Sequence, residues 1–328
     1  MRRVVWPVLT GLGVFFIALA LLSKFFVPGQ ALKFPLNEYS KTTLLADNAS
    51  YFSPRFVTEE SGVTLQATST TRGDVAAAKS SKSIDSSRVA VWQSYTAIED
   101  TSNHTAVSIP SQGNSLAFDR KTGALVPWSG NSVEGKPVSV TPNEQGSLFP
   151  IGTKKQDYQV FDTTLKKPVT FHYKGIMSTD GVATYVFVAT IPSQQIGTET
   201  LPGSLVGMTA SEVTLPEFYS AKETEFVDPA TGVPLSVQQN VRQTLQDDTG
   251  TTRLVLLSAD FQTSPDSVAS AVSTDNGRAT KISLINVTIP IVAGLLGIVA
   301  LIAGLVLSRS RPEDEEYEDD DQPVGASA

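Results

Sequence analysis

Two stretches of the chain carry no charge at all: Val4 to Leu22, "VVWPVLTGLGVFFIALALL", and Val287 to Leu307, "VTIPIVAGLLGIVALIAGLVL". At 1.5 Å rise per residue each reaches about 30 Å as a helix, the thickness of a bilayer's hydrocarbon core. Both therefore predict transmembrane helices. Between them the continuous apolar pattern gives way to short runs rich in Val, Thr, Phe and Tyr, separated by turn residues, which predicts β-structure. The expected layout is a cytoplasmic N-terminus over 1–3, a signal-anchor helix over 4–22, a β-rich exported domain over 23–286, a second helix over 287–307 and a cytoplasmic tail over 308–328. In fold class this is a β-rich domain, all-β or α+β, tethered at both ends by transmembrane helices.

Several strands can be placed by their alternation. "SRVAVWQSYTAI", Ser87 to Ile98, is one; "SLAFD" and "ALVPW" flank the turn "DRKTG". Lys167 to Ile191 predicts a hairpin turning at Asp180-Gly181, because Asp-Gly takes the positive φ angles of a tight turn. Its second arm, Val182 to Ile191, is apolar on both alternations and predicts a strand covered on both faces. "ETEFV", "VPLSVQQNVRQTLQ" and "TTRLVLLSADFQT" follow, separated by the turns "DPATG" and "DDTG". After them "SPDSVASAV" offers Ser264 as N-cap and Pro265 at the first helical position, a helix start whose helix is expected to be interrupted near "TDNGR". The small, polar segment Thr70 to Ser86 predicts a mobile loop.

The string Asp-x-x-Thr-Gly occurs twice, at Asp119 to Gly123 and Asp228 to Gly232. Asp can bond backbone amides two residues on and Gly supplies positive φ, so both copies predict hairpin turns rather than catalytic aspartates. "DDTGTT", Asp247 to Thr252, resembles the core of aspartic proteases, whose mechanism needs two carboxylates sharing a proton. The hydrophobic triplet that should precede it is replaced by Leu245-Gln246-Asp247, and turn chemistry accounts for it better. "RGD" at Arg72 to Asp74 is too short a match to carry an adhesion function.

Charge supports the division of the chain. Arg2 and Arg3 precede the first helix while Arg309 and Arg311 follow the second, so both termini are expected in the cytoplasm and the large domain in a periplasm-like space. Bulky Leu21, Leu22, Phe25 and Phe26 where a cleavage site would fall favour an uncleaved anchor. The tail carries eight acids against two arginines, out of a total net charge of −8, which leaves the exported domain nearly neutral. No basic face is present to attract nucleic acid. The chain has no cysteine and two histidines, His104 and His172, too far apart for metal-ligand spacing, so no metal or other cofactor is expected. In the second span Ala293, Gly297, Ala300 and Gly304 fall on one helix face, either as a seam for the first span or a partner helix, or as lipid-compatible filler.

"FPIGTKKQDYQVFDTTLKKPVTFHYKG", Phe149 to Gly175, with "DGVATYVFVATIP" from Asp180 and "LPEFYSAKETEFVDPATGVPL" from Leu215, resembles an actinobacterial family of two-span envelope proteins of unknown function, labelled the porin PorA family. The strings Phe-Pro-x-Gly-Thr-x-Lys, Tyr-x-x-Phe-Asp and Val-Asp-Pro-x-Thr-Gly carry the resemblance, which extends from one span to the other. It implies no catalytic residues. A transmembrane β-barrel needs amphipathic strands with an apolar exterior and aromatic girdles. This chain spends its membrane-crossing residues on helices, so porin activity is not expected. The layout is similar to that of scavenger receptors whose β-rich ectodomains carry lipids through an apolar tunnel.

The sequence reading is thus a non-enzymatic plasma-membrane protein that binds, transfers or helps assemble an envelope lipid or lipoglycan. Phe171, Tyr173, Tyr185 and Phe187 are the candidate apolar lining, with ordinary core packing as the competing role. Two alternatives stand beside it: a scaffold for an envelope-biosynthesis membrane protein with the acidic tail as docking segment, and a hydrolase or transferase built on Asp162, Asp228 or Asp248.

Overall fold

The computed structural model describes residues 2–102, 105–107 and 112–309. The described residues divide into two compact units, one made of residues 2–31 with 283–309 and the other lying within 32–282. His104 and the acidic tail lie outside the described residues.

The first unit holds α1 (Arg2–Phe25), the short α2 (Val27–Ala31), a π-helical turn (Leu284–Thr288) and a C-terminal helix, Ile289–Arg309. Both long helices are apolar enough to cross a membrane. Leu295, Val299, Ile302 and Val306 point outward, as side chains facing lipid do. The small residues of the second span meet the first. A Cβ at Gly297 would lie 2.7 Å from Ile17, and one at Gly304 2.5 Å from the Thr10 hydroxyl. Ala293 is buried and Ala300 partly so. At Gly297 and Gly304 this face of the second span thus lies against the chain's own first helix.

The second unit is built on thirteen strands: β1 (Tyr39–Ser53), β2 (Thr58–Gly73), β3 (Val89–Asp100), β4 (Thr105–Ala106), β5 (Gln112–Asp119), β6 (Ser132–Val133), β7 (Lys136–Pro137), β8 (Tyr158–Asp162), β9 (Lys167–Thr179), β10 (Val182–Pro202), β11 (Glu212–Val227), β12 (Pro234–Gln246) and β13 (Thr252–Thr263). They form one antiparallel sheet in the order β7-β6-β5-β3-β2-β1-β13-β12-β11-β10-β9-β8, with β4 beside β3. From β9 to β13 neighbours in space are neighbours in sequence. The exception that shapes the fold is β1, which pairs with β13 through Leu44↔Thr263 and Tyr51↔Leu257.

The last strand of this path, β8, is joined back to β5. Phe118 of β5 bridges Leu125, Ala124 bridges Gln145, and Gln145 bridges Val160 of β8. Backbone hydrogen bonds from Gln145 N to Gln159 O (2.7 Å) and from Phe161 N to Gln145 O (2.9 Å) carry the seam. The sheet therefore closes into a barrel, which removes exposed strand edges. Where alternation predicts a strand at "ALVPW", the chain makes these single bridges instead.

Inward positions fall into layers. Leu65, Ala67, Ala221, Val241 and Leu257 make one apolar layer; Trp92, Phe118, Leu125 and Phe161 lie in another cluster. Between them β2, β3, β11 and β12 point Ser69, Thr71, Ser94, Thr96, Glu223, Glu225 and Gln239 inward, a polar belt inside the barrel.

Two sequence expectations need correcting. Residues 70–73 are not loop but the end of β2, where Thr70 to Gly73 pair with Tyr95 to Trp92. The chain then enters α3 (Val75–Ser80), capped by the Asp74 carboxylate accepting from Ala77 N at 2.8 Å. Small polar residues suit this place because a Cβ at Gly73 would fall 1.9 Å from Leu36 O. Secondly, α4 (Pro265–Ser283) runs through "TDNGR" without a break. Asp275 is buried there and Arg278 pairs with Glu38 at 2.8 Å, so tertiary contacts override the weak helix propensity.

Candidate functional site

Three overlapping cavities occupy the barrel. The central one, about 290 Å³, lies at the polar belt and is also lined by Asp162, Tyr219 and Trp92. It shares Ser69, Thr96, Thr164, Tyr219 and Gln239 with a more apolar cavity of about 180 Å³. It shares Ser69, Thr71, Trp92, Ser147 and Glu225 with a mouth cavity of about 520 Å³. One face of α4, namely Ser267, Ser270, Ala271, Thr274, Asp275 and Arg278, forms a wall of the mouth. These positions recur at three- and four-residue steps, as one helix face requires.

The acids of the belt are placed by strand alternation. In β11, Tyr219, Ala221, Glu223, Glu225 and Val227 share the inward face, with Ala189 and Gln239 opposite Glu223 and Phe187 and Val237 opposite Glu225. Burial pushes Glu223 up to about 7, helped by the Asp162 charge and opposed by a hydrogen bond from the Gln239 amide. Burial, with Glu223 close by, pushes Glu225 up to about 8. Burial also raises Asp162, although its carboxylate accepts from the backbone of Leu165 and Thr164 and from the Tyr219 hydroxyl. Among the described residues no Lys, Arg or His lines the central or the apolar cavity. The Gln243 side chain borders the apolar cavity, is buried, and leaves its Oε1 without a hydrogen-bond partner.

The two Asp-x-x-Thr-Gly copies are turns, and they act together. Asp119 Oδ1 accepts from Lys121 N and Thr122 N, and Gly123 N donates to Asp119 O at 2.9 Å. Asp228 repeats this with Ala230 N and Gly232 N. Both glycines have positive φ, +70° and +76°. The turns grip one strap, residues 145–152: Phe149 N donates to Gly232 O (2.8 Å), Ile151 N to Lys121 O (3.1 Å), and the Gln145 amide to Thr122 O (2.7 Å) when oriented to satisfy both ends. A third turn of the same shape is not legible from composition. At Asp162, Leu165 N donates to the side chain and Lys166 N to the main-chain carbonyl, with Lys166 at φ 56° where the others have glycine. The strap closes the seam, and its Ser147 borders both the central and the mouth cavity.

Phe171, Tyr173, Tyr185 and Phe187 do come together, with Phe149 and Tyr158, in one aromatic cluster. Phe149 and Phe187 stack at 4.7 Å, and Tyr173 meets both Tyr185 and Phe187 edge-on. None of the four lines the three cavities. The other singled-out residues have structural partners. Asp247 accepts from Thr249, Thr251 and Arg253, and the Thr249 hydroxyl does most to hold its carboxyl well below the usual range. His172 bonds Asp157 at 2.8 Å on the surface. Asp228 is buried beside Asp275, whose carboxyl burial and the Asp228 hydrogen bond push up to about 7. Asp248 is exposed. Among the described residues no cluster of His, Asp or Glu is suited to hold a metal ion.

The belt acids escape the sequence reading, yet a signal is present. In "YSAKETEFV" the acids Glu223 and Glu225 fall in phase with Tyr219, Ala221 and Val227, on the alternation that should be apolar.

Fold and cavity together define a membrane protein with two membrane-competent helices and a closed, hollow β-barrel in the chain between them. The family model for Porin PorA matches residues 7–306, and the chain belongs to the PorA porin family. No curated protein matches it.

Proposed function

We propose that this protein is anchored in the plasma membrane with both termini in the cytoplasm, and that its exported barrel binds an envelope lipid or lipoglycan during transfer or assembly, without covalent chemistry. The observation that carries this reading is the polar belt inside a closed barrel, reached through a mouth cavity of about 520 Å³. Ligand pockets are typically concavities of roughly this size with a few convergent polar groups. Belt side chains suit the polar part of an amphiphile, and the adjoining cavity around Val241, Leu257 and Phe261 suits its apolar part. Native mass spectrometry and lipid extraction of the detergent-purified full-length protein test it. A stoichiometric lipid or lipoglycan is the expected result; an empty protein recovered from cells with a normal envelope sinks the reading.

The family's name supports a second reading, pore formation. Outward positions of β12 are Gln238, Asn240 and Arg242, opposite Thr224, Lys222 and Ser220 of β11. That is a face suited to water rather than to the apolar band of a membrane barrel. Step-wise conductance of the purified protein in planar bilayers would favour the pore, and its absence alongside a bound amphiphile would favour the carrier.

A further inference from the structure

We infer that the belt is a receptor for an ammonium group, with Glu225 and Glu223 as its counter-ions and the rings of Trp92 and Tyr219 as its walls. The inference rests on the reading that the barrel interior binds a ligand, and it names the chemistry of the group held there.

The charge balance of the cavity is the first argument. Asp162, Glu223 and Glu225 line it, and no cationic side chain does among the described residues. Glu223 has the Gln239 amide as partner, whereas Glu225 has no hydrogen-bond or ion-pair partner among the described residues and faces Val237 and Phe187 across its neighbouring strands. A carboxylate inside a barrel is costly unless a cation or donor compensates it. The remaining ionisable groups nearby are Tyr219 in the belt and, around the mouth that Glu225 also borders, Glu38, Tyr39, Lys41, Asp275 and Arg278. Arg278 is engaged by Glu38, and Lys41 is exposed. Around the mouth the two acids and two bases balance, while in the central cavity three acids stand without a base among the described residues, so a phosphate or carboxylate is disfavoured at the belt.

The second argument is the aromatic content. Trp92, Phe118, Phe161 and Tyr219 line the same cavity as the acids. The negative faces of aromatic rings combined with carboxylates recognise alkylated or primary ammonium, and desolvation strengthens the attraction. A third observation is independent of both: the buried, unpartnered Gln243 Oε1 on the adjoining cavity is an acceptor waiting for a ligand N–H or O–H. Because burial favours the protonated acids, an incoming cation displaces protons from the belt, so binding releases protons and weakens as pH falls.

The test is calorimetric titration of the full-length protein in detergent with ethanolamine, tetramethylammonium and glucosamine as amines, and inositol and methyl mannoside as uncharged polyols. Phosphate and HEPES buffers at pH 7.5 differ in ionisation heat and expose proton release. Saturable amine binding with buffer-dependent heat is expected, reduced about tenfold or more by Glu225→Gln and at pH 5.5, with the melting temperature of the variant confirming its fold. Glucosamine against ethanolamine separates a sugar-borne from a headgroup amine. Polyols binding as well as amines, or amine binding unchanged by Glu225→Gln and Glu223→Gln, overturns the ammonium assignment while leaving the carrier intact. No heat from any probe together with an empty protein in mass spectrometry overturns both.

Discussion

Gly232 shows how far a single missing side chain matters. Its φ of +76° belongs to the left-handed region, and a Cβ there would lie 2.2 Å from Phe149 O. Gly135 has nearly the same φ, +72°, with nothing within 4 Å. Gly135→Ala is expected to cost only the left-handed penalty, about 1–2 kcal/mol. Gly232→Ala must also push the strap away and should cost clearly more, on the order of 3–5 kcal/mol; denaturant melts of the two variants compare them directly. The belt acids give a second residue-scale prediction. From an ordinary value of 4.5 the folded barrel raises Glu223 to about 7 and Glu225 to about 8. The folded chain therefore holds protons that the unfolded chain releases. Stability from these groups is full below about pH 4.5, declines as pH rises and is lost above about pH 8. Melting temperatures between pH 5 and 9 should fall along this course, and the Glu223→Gln, Glu225→Gln double variant should flatten it.

At the scale of elements, the helix seam and the hairpins are legible because their signals are local. Small residues at steps of four and three place one face of a helix whatever surrounds it, and Gly297 does lie against Ile17 and Gly13 O. Gly297→Leu should separate the two helices and lower detergent-solution stability by about 1–3 kcal/mol, whereas Gly11→Leu, with nothing within 4 Å, should not; thermal melts in detergent distinguish them. The hairpin at Asp180-Gly181 is legible for the same reason, and its φ angles of 46° and 85° are those of a tight primed turn. Strands β1 and β2 are not. Their apolar alternation is short: in β1 it breaks at a bulge between Ala46 and Ala49, and in β2 Leu65 and Ala67 give way to Ser69 and Thr71. The third turn is hidden because Lys166 stands where glycine would have announced it, and α3 because a six-residue helix held by one aspartate has no periodicity. Barrel closure cannot be read at all, since single bridges at Gln145 leave no pattern in the chain.

For the whole molecule, the absence of cysteine makes the proposed topology directly testable. A single cysteine replacing the exposed Thr249 should react in intact cells with a membrane-impermeant maleimide. One replacing Ser327 should react only after the membrane is opened. Labelling of both, or of the tail alone, would overturn the placement of the two ends. Asp275 adds a feature at this scale: its side chain ties α4 to the Asp228 turn while Arg278 ties it to Glu38, so the wall of the mouth is fastened at two points. Loss of the Arg278 pair by Arg278→Gln should open the mouth without unfolding the sheet, measurable as faster hydrogen exchange in α4 alone.

The pairing of β1 with β13 also sets the order of events in the life of the chain. Synthesis delivers β1 first, yet Leu44 and Tyr51 find Thr263 and Leu257 only when more than two hundred further residues have been made. Until then one edge of β1 is bare, and a contact of such sequence separation is slow to form. The nascent barrel therefore stays open through nearly the whole of its synthesis. Its last strand, β13, comes just ahead of α4 and the second membrane-competent helix, so closure and the arrival of that helix fall together.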